Sequence, residues 1–297
     1  MMNRKIVLAG GTGFVGRFLE QKFRELQDVV KIISRGNGHI SWSDRRSIID
    51  ALDGADVVIN LAGKSVDCRY NEKNKREIVS SRVDTTQALG DAIKACAKPP
   101  ALWMNASTAT IYRHAEDRPM TEDNGELGTG FSVDVAKAWE EAFFSCRVPG
   151  VRQAALRMAI VLGRDGGVIG PYRNLVNFGL GGVQGSGRQM FSWIHIEDVF
   201  RIVQFIMEHK TLNGVFNCSS PHPVMNQEFM KQLRVAAGVR VGLPSPRWLL
   251  EIGAMLIRTE TELILKSRWV VPERLSVKGF TFRYGKLEDA LGEIWRS

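Results

Sequence analysis

Lys5-Ile6-Val7-Leu8-Ala9-Gly10-Gly11-Thr12-Gly13-Phe14-Val15-Gly16 runs from a short apolar strand into a glycine loop and out along a helix. The order carries more information than the glycines do, because glycines alone would mean only a tight turn. Between one strand and one helix the glycines divide the work. One makes the turn, one lets the backbone approach a pyrophosphate, and one lets the helix pack closely. The helix N-terminus adds amide donors and the positive end of its dipole. Gly10, Gly11, Thr12, Gly13, Phe14, Val15 and Gly16 are therefore candidate contacts of a dinucleotide.

Outward from this loop, short apolar runs alternate with helical spacing. Lys5–Ala9, Val29–Ser34, Asp56–Ala62, Ala101–Ser107 and Arg152–Leu162 read as strands, and Val15–Leu26, Arg45–Leu52, Lys73–Ala95 and Val133–Phe144 as helices. This β-α alternation predicts a doubly wound parallel sheet with right-handed crossovers, an α/β Rossmann fold. The second strand ends in Ser34-Arg35, where an enzyme using NAD would place a carboxylate for the ribose hydroxyls. A hydroxyl and a cation there favour the 2′-phosphate of NADP(H) over NAD(H), the alternative being a solvated arginine.

From 164 to 193 the glycines thicken and no period holds, which reads as a loop-rich, substrate-side insert. Ile196–Glu208 then reads as a helix and Gly214–Ser219 as a strand. The Pro221-His222-Pro223 break divides a nucleotide-binding domain, 1–220, from a smaller C-terminal α/β lobe, 221–297. In that lobe Asn226–Ala237 and Pro246–Leu265 read as helices, and Gly279–Tyr284 as a strand leading into a last helix.

Composition bounds the partners. The 297 residues are 44% hydrophobic and 24% charged, an ordinary globular balance. The opening residues lack an apolar h-region, and the longest apolar stretch, Trp248 to Ile257, is broken by Glu251. No signal peptide and no membrane span are expected. Cys68, Cys96, Cys146 and Cys218 form no C-x-x-C pair, so a zinc cluster or disulfide framework is not expected and a reducing, cytoplasmic setting is. The net charge of +8 comes from dispersed lysines and arginines, which read as solvated surface rather than as a nucleic-acid patch.

Asn60-Leu61-Ala62-Gly63, Ala106-Ser107-Thr108 with Tyr112 after it, and Trp193-Ile194-His195-Ile196-Glu197-Asp198, together with the glycine loop, resemble the extended short-chain dehydrogenase/reductases. Lys75-x-Glu77-x-x-x-Ser81-Arg82, Gly179-x-Gly181-Gly182 and Arg268-x-Val270-x-Pro272 followed by Gly279-Phe280 resemble an atypical, epimerase-like subgroup with a C-terminal domain of unknown function. The resemblance spans essentially the whole chain. It implies that Ser34, Arg35, Leu61, Ala62, Gly63, Glu77 and Arg82 lie against the cofactor, although Glu77 and Arg82 also suit a plain ion pair. It implies a small-molecule substrate, sugar-nucleotide-like among the options.

The resemblance also implies a Tyr-x-x-x-Lys pair with a Ser or Thr, in which the tyrosine moves a proton and the lysine lowers its pKa and holds the ribose. Thr108 takes the hydroxyl position and Lys137 the lysine position. Four residues before Lys137 stands Val133, which transfers no proton. Tyr112 is the first substitute acid, with Ser132, His195 and Asp198 as others; each also has a structural reading, as a satisfied buried polar group or a helix cap. Three function classes follow: an NADP(H)-dependent oxidoreductase or epimerase of non-standard mechanism, a non-catalytic NADP(H) sensor, and a nucleic-acid binder on a Rossmann fold. The last lacks any aromatic-basic motif.

Overall fold

A computed structural model describes residues 3–246 and 265–296. Its main sheet is built from β1 (Lys5–Ala9), β2 (Val29–Ser34), β3 (Ile40–Ser41), β4 (Val57–Asn60), β5 (Leu102–Thr108), β6 (Arg152–Met158) and β11 (Gly214–Cys218). These seven strands are all parallel and lie in the order β3-β2-β1-β4-β5-β6-β11. Successive side chains of a strand face opposite ways, so a sheet covered on both faces needs apolar residues at every position. In β1, Ile6 and Leu8 enter the core on one face, under α1 (Phe14–Glu25) and α6 (Ile196–Glu208). Val7 and Ala9 enter the other, under α2 (Arg45–Leu52), α3 (Glu72–Lys94) and α4 (Phe131–Ser145).

The chain leaves β1 toward β2 and β3, then returns to build β4 on the opposite side. This reversal opens a crevice beyond the C-terminal ends of β1 and β4, the place where open α/β sheets receive ligands.

Three expectations change. The apolar run Arg152–Leu162 is two strands: β6 ends at Met158, and β7 (Ile160–Gly163) leaves the sheet to pair with β10 (Trp193–His195) and β8 (Gly166–Gly167). A continuous apolar run carries no mark of such a change of sheet. The glycine-rich insert is not all loop either. It holds α5 (Ile169–Asn177) and β9 (Met190–Phe191), and Ile169 and Val176 of α5 are buried in a third core. Two buried residues in so short a helix leave little periodicity to see.

The third core joins α5 to α7 (Asn226–Ala236) and α9 (Leu287–Trp295), while β12 (Val224–Met225) pairs with β9. Gly279–Tyr284, read as a strand, pairs with no sheet. After α8 (Glu273–Val277) it is irregular, and Asp198 of α6 accepts the Arg283 and Tyr284 amides at 2.8 Å each. Those two donors are satisfied by a carboxylate rather than a neighbouring strand. The expected helix over Pro246–Leu265 lies, apart from its end residues, outside the described residues. No helix among the described residues is long and apolar enough to cross a membrane.

Candidate active site

The glycine loop shows three distinct constraints. Gly10 has φ +76°, and a Cβ there would sit 2.6 Å from the Ala62 backbone. A Cβ at Gly16 would run into the Gly11 carbonyl, so this glycine serves the contact between helix and turn. Gly13 differs from both: its φ of −76° suits any residue, and a Cβ would meet nothing nearer than the Gly10 carbonyl at 4.0 Å. Packing leaves that space empty.

In front of the loop lies a cleft of about 370 Å³ across the C-terminal edge of the sheet. Gly10, Gly13, Phe14, Val15 and Gly16 form one end of its lining, and Leu61, Gly63, Arg82 and Thr108 continue it. Gly11 and Thr12 do not line it. Ala62 is buried, its amide donating to Asn60 Oδ1 at 3.0 Å. Asn60 Nδ2 donates in turn to Asn105 Oδ1 at 2.7 Å and Thr86 Oγ1 at 3.0 Å, and Trp139 Nε1 donates to the same Thr86 oxygen at 3.1 Å. This buried knot ties β4, β5, α3 and α4 together beneath the cleft and fixes its floor.

On α4, Ser132, Val135, Ala136 and Trp139 face the cleft, the i, i+3, i+4, i+7 set of one helical side. Val133 is fully buried, and Lys137 turns its ammonium to the Gly128 carbonyl at 3.0 Å. Ser132 and Ala136, one cleft-facing pair spaced by four, stand one residue before the expected Val133 and Lys137. Among the described residues, α4 contributes neither a tyrosine nor a lysine to the cleft lining. The expectation counted four residues back from Lys137, and α4 begins at Phe131, two residues before the expected start at Val133. Ser132 Oγ is buried and, among the described residues, has no hydrogen-bond partner.

Tyr112 does not reach the cleft lining. Its phenol donates to Asn217 Oδ1 at 2.9 Å and accepts from Arg157 Nη1 at 2.8 Å, and burial pushes its pKa up. His195 is buried beside Glu293 at 3.1 Å, and burial pulls its pKa down. With Asp198 holding the two backbone amides, His195 and Asp198 of the Trp193–Asp198 motif join the start of α6 to the C-terminal residues. All three side chains are engaged in hydrogen bonds within the fold.

Glu77 and Arg82 do not pair with each other. Glu77 is bound to Lys64, which lowers its pKa. Arg82 lies over the Trp139 ring at 5.0 Å and against Gly63, where a Cβ would meet its Cζ at 3.0 Å. Its Nη1 donates to the Ile78 carbonyl at 2.9 Å, and burial pulls its pKa down to about 10. At the end of β2, Ser34 is buried, accepting the Gly36 amide at 3.0 Å and bonded to His39 Nδ1 at 3.0 Å, while Arg35 is exposed. Trp139 and Phe131, which wall the cleft, carry no motif of their own in the sequence; only the helical period of α4 in the right register points to them. Among the described residues, no group of three or more His, Cys, Asp or Glu is placed to hold a metal ion.

Comparison with known proteins places this architecture. Residues 6–219 match the model of the NAD dependent epimerase/dehydratase family, and residues 245–294 match a domain of unknown function, DUF1731. Human epimerase family protein SDR39U1 is 33% identical over 297 residues, covering 98% of this chain and 99% of the human one. A crystal structure of the human protein (isoform 2) with NADPH superposes with a TM-score of 0.88 at 32% identity, covering 98% of both chains. The nucleoside-diphosphate sugar epimerase of Corynebacterium glutamicum has a TM-score of 0.79 at 27% identity, and the match covers 98% of this chain and 58% of that one. Sheet order, glycine loop and near-full-length similarity agree that the chain belongs to the NAD dependent epimerase/dehydratase family.

Proposed function

We propose that this protein binds NADP(H) over the glycine loop and acts on a small molecule at the β5–α4 end of the cleft, as an epimerase-like oxidoreductase without the tyrosine–lysine pair. The observation that carries the reading is Gly13, whose missing side chain leaves a space no packing demand explains. A pyrophosphate needs that space and the amides at the N-terminus of α1. The human relative with NADPH supports the same reading.

In this reading the Gly10–Gly16 turn holds the pyrophosphate, and the backbone at Leu61, Ala62 and Gly63 borders the dinucleotide. Ser34 and the exposed Arg35 receive the 2′-phosphate. Bound NADP(H) supplies or accepts a hydride. Thr108 and Ser132 offer hydroxyls to a substrate oxygen. Residues 1–220 form the nucleotide-binding part and 221–297 a lobe on the substrate side. From that lobe two cations reach Thr110 on the cleft wall, Arg268 Nε donating to its hydroxyl at 3.2 Å and Lys266 Nζ to its carbonyl at 2.9 Å. A sugar nucleotide is one substrate of fitting chemistry, supported by the Corynebacterium glutamicum neighbour, a nucleoside-diphosphate sugar epimerase.

Cofactor choice tests the first half. The protein is expected to bind NADPH more tightly than NADH in a fluorescence titration. Arg35→Asp should narrow or reverse the gap, because a charge-assisted contact contributes about 1.5–3 kcal/mol. Equal affinity of the unmodified protein for both nucleotides would sink the assignment of Arg35.

The chemistry is tested on α4. With Ser132 and Ala136 on the cleft face, conventional carbonyl substrates should turn over slowly. Ser132→Tyr combined with Ala136→Lys is expected to raise kcat/KM at least about tenfold, part of the roughly 10²–10⁴-fold that a positioned general acid contributes. Val133→Tyr should gain nothing, since that position is buried in the fold. The bare cleft face also favours a second reading, a non-catalytic NADP(H) sensor. A panel of carbonyl and sugar substrates with NADPH separates the two, since a sensor binds the nucleotide and turns over none of them.

A further inference from the structure

We infer that the β7–β8 hairpin holds the Phe14 ring clear of the dinucleotide's place, so that the substrate-side insert sets NADP(H) affinity through a residue of the glycine loop. The inference rests on the NADP(H) reading above. Phe14 is the first residue of α1 and lines the cleft. Among the described residues, none from 164 to 193 does so. The insert meets the cleft from behind, against this ring.

Three glycines make the slot that receives it. A Cβ at Gly163 would come within 2.8 Å of Phe14 Cζ, one at Gly166 within 2.5 Å of Cδ2 and 2.8 Å of Cγ, and one at Gly167 within 3.1 Å of Cε1. Gly167 has φ +67°, which favours glycine whatever its neighbours. Neither Gly163 nor Gly166 has a positive φ, so their backbone does not ask for glycine. A Cβ at Gly163 would also meet Ile196, whereas the three nearest atoms at Gly166 all belong to Phe14. Gly166 thus owes its missing side chain to the ring.

The contact at Gly166 falls on Cγ and Cβ, the root of the Phe14 side chain, with Cβ at 3.2 Å. A small tilt of the ring does not relieve such a contact, and the side chain has to leave its rotamer. A ring expelled from the slot enters the cleft it lines, beside Gly13, where the pyrophosphate belongs. On its far side the hairpin runs into α5, whose Ile169 and Val176 join α7 and α9 in the third core. Nucleotide binding and the seating of the insert are thereby linked, and linkage acts equally in both directions.

The test is a double-mutant cycle on NADPH affinity, read by fluorescence titration of the full chain. Gly166→Ala lies outside the cleft lining, yet it is expected to weaken NADPH binding at least about tenfold, the size that an overpacked methyl group reaches. Phe14→Ala removes the ring and should weaken binding less than misplacing it does. With the ring gone, adding Gly166→Ala should change affinity by less than about twofold, within the scatter of sites that do not touch. Trypsin reads the reverse direction. Saturating NADPH should slow cleavage after Arg164, in the hairpin turn, in the parent protein and much less in Phe14→Ala.

The inference is overturned if Gly166→Ala binds NADPH as the parent does, or if it weakens binding equally with and without the ring. It is also overturned if Phe14→Ala binds more weakly than Gly166→Ala, since the nucleotide then needs the ring itself. A parent protein that binds no NADPH overturns the cofactor reading and this inference with it; where the parent binds, the variants alone decide. Circular dichroism checks folding. If Gly166→Ala does not fold, the trypsin comparison decides by itself, and equal protection by NADPH in the parent and in Phe14→Ala overturns the inference.

Discussion

Gly13→Val is expected to weaken NADPH binding by about two orders of magnitude or more while leaving the fold and its unfolding midpoint nearly unchanged. The backbone at Gly13 has φ −76°, which valine adopts without strain, and no atom lies within reach of the new Cβ except the Gly10 carbonyl at 4.0 Å. The two methyl groups instead fill the space before the helix N-terminus. A pyrophosphate pushed away from two loop amides loses two hydrogen bonds to a charged group, each contributing about 1.5–3 kcal/mol. Neighbouring glycines should behave differently. At Gly10 and Gly16 a side chain meets backbone, so Gly16→Val should lower the unfolding midpoint as well as affinity. Fluorescence titration with NADPH and thermal melts of both variants separate the two kinds of glycine. Undiminished NADPH affinity in Gly13→Val would remove the observation on which the functional reading stands.

Strands buried on both faces are legible because their apolar runs are uninterrupted, and β1, β2 and β4 stand near where the residues place them. The glycine loop is legible for the same local reason: strand, turn and helix are contiguous. What escapes a reading of the residues depends on distant partners. The break at Ala159 follows from where β7 finds β10, and the Asp198 contacts with Arg283 and Tyr284 join residues far apart in the chain. The register of α4 likewise depends on packing. A shift of one residue turns a helical side chain by about 100°, enough to exchange Ser132 and Ala136 for Val133 and Lys137 on the cleft face. Lysine in a helix facing a Rossmann cleft invites a functional reading, yet the ammonium of Lys137 closes a local loop at Gly128.

Replacing Glu140 by alanine is expected to destabilise the protein by about 3–5 kcal/mol, the cost of leaving one member of a buried ion pair alone. Glu140 on α4 takes Arg157 Nε at 2.8 Å and Nη2 at 2.7 Å, and Ser107 Oγ at 2.5 Å. The two side chains are only 11% and 9% exposed, so water does little to screen or replace the contact. Arg157 passes the constraint on through Nη1 to Tyr112, and Tyr112 to Asn217, so one charge pair ties α4, β5, β6 and β11 under the cleft. The exposed cluster of Arg113 with Asp117 and Glu126 has comparable distances but faces solvent, and its loss should matter far less. Removing both buried charges, as in Glu140→Leu with Arg157→Met, should recover much of the loss, because no orphaned cation remains. Chemical denaturation of the three proteins measures this directly. A loss below about 1 kcal/mol for Glu140→Ala would mean that water reaches Arg157 and that the pair does not hold the cleft floor. The same variant should also bind NADPH less well, since Ser107, released from Glu140, lines the cleft between β5 and α4.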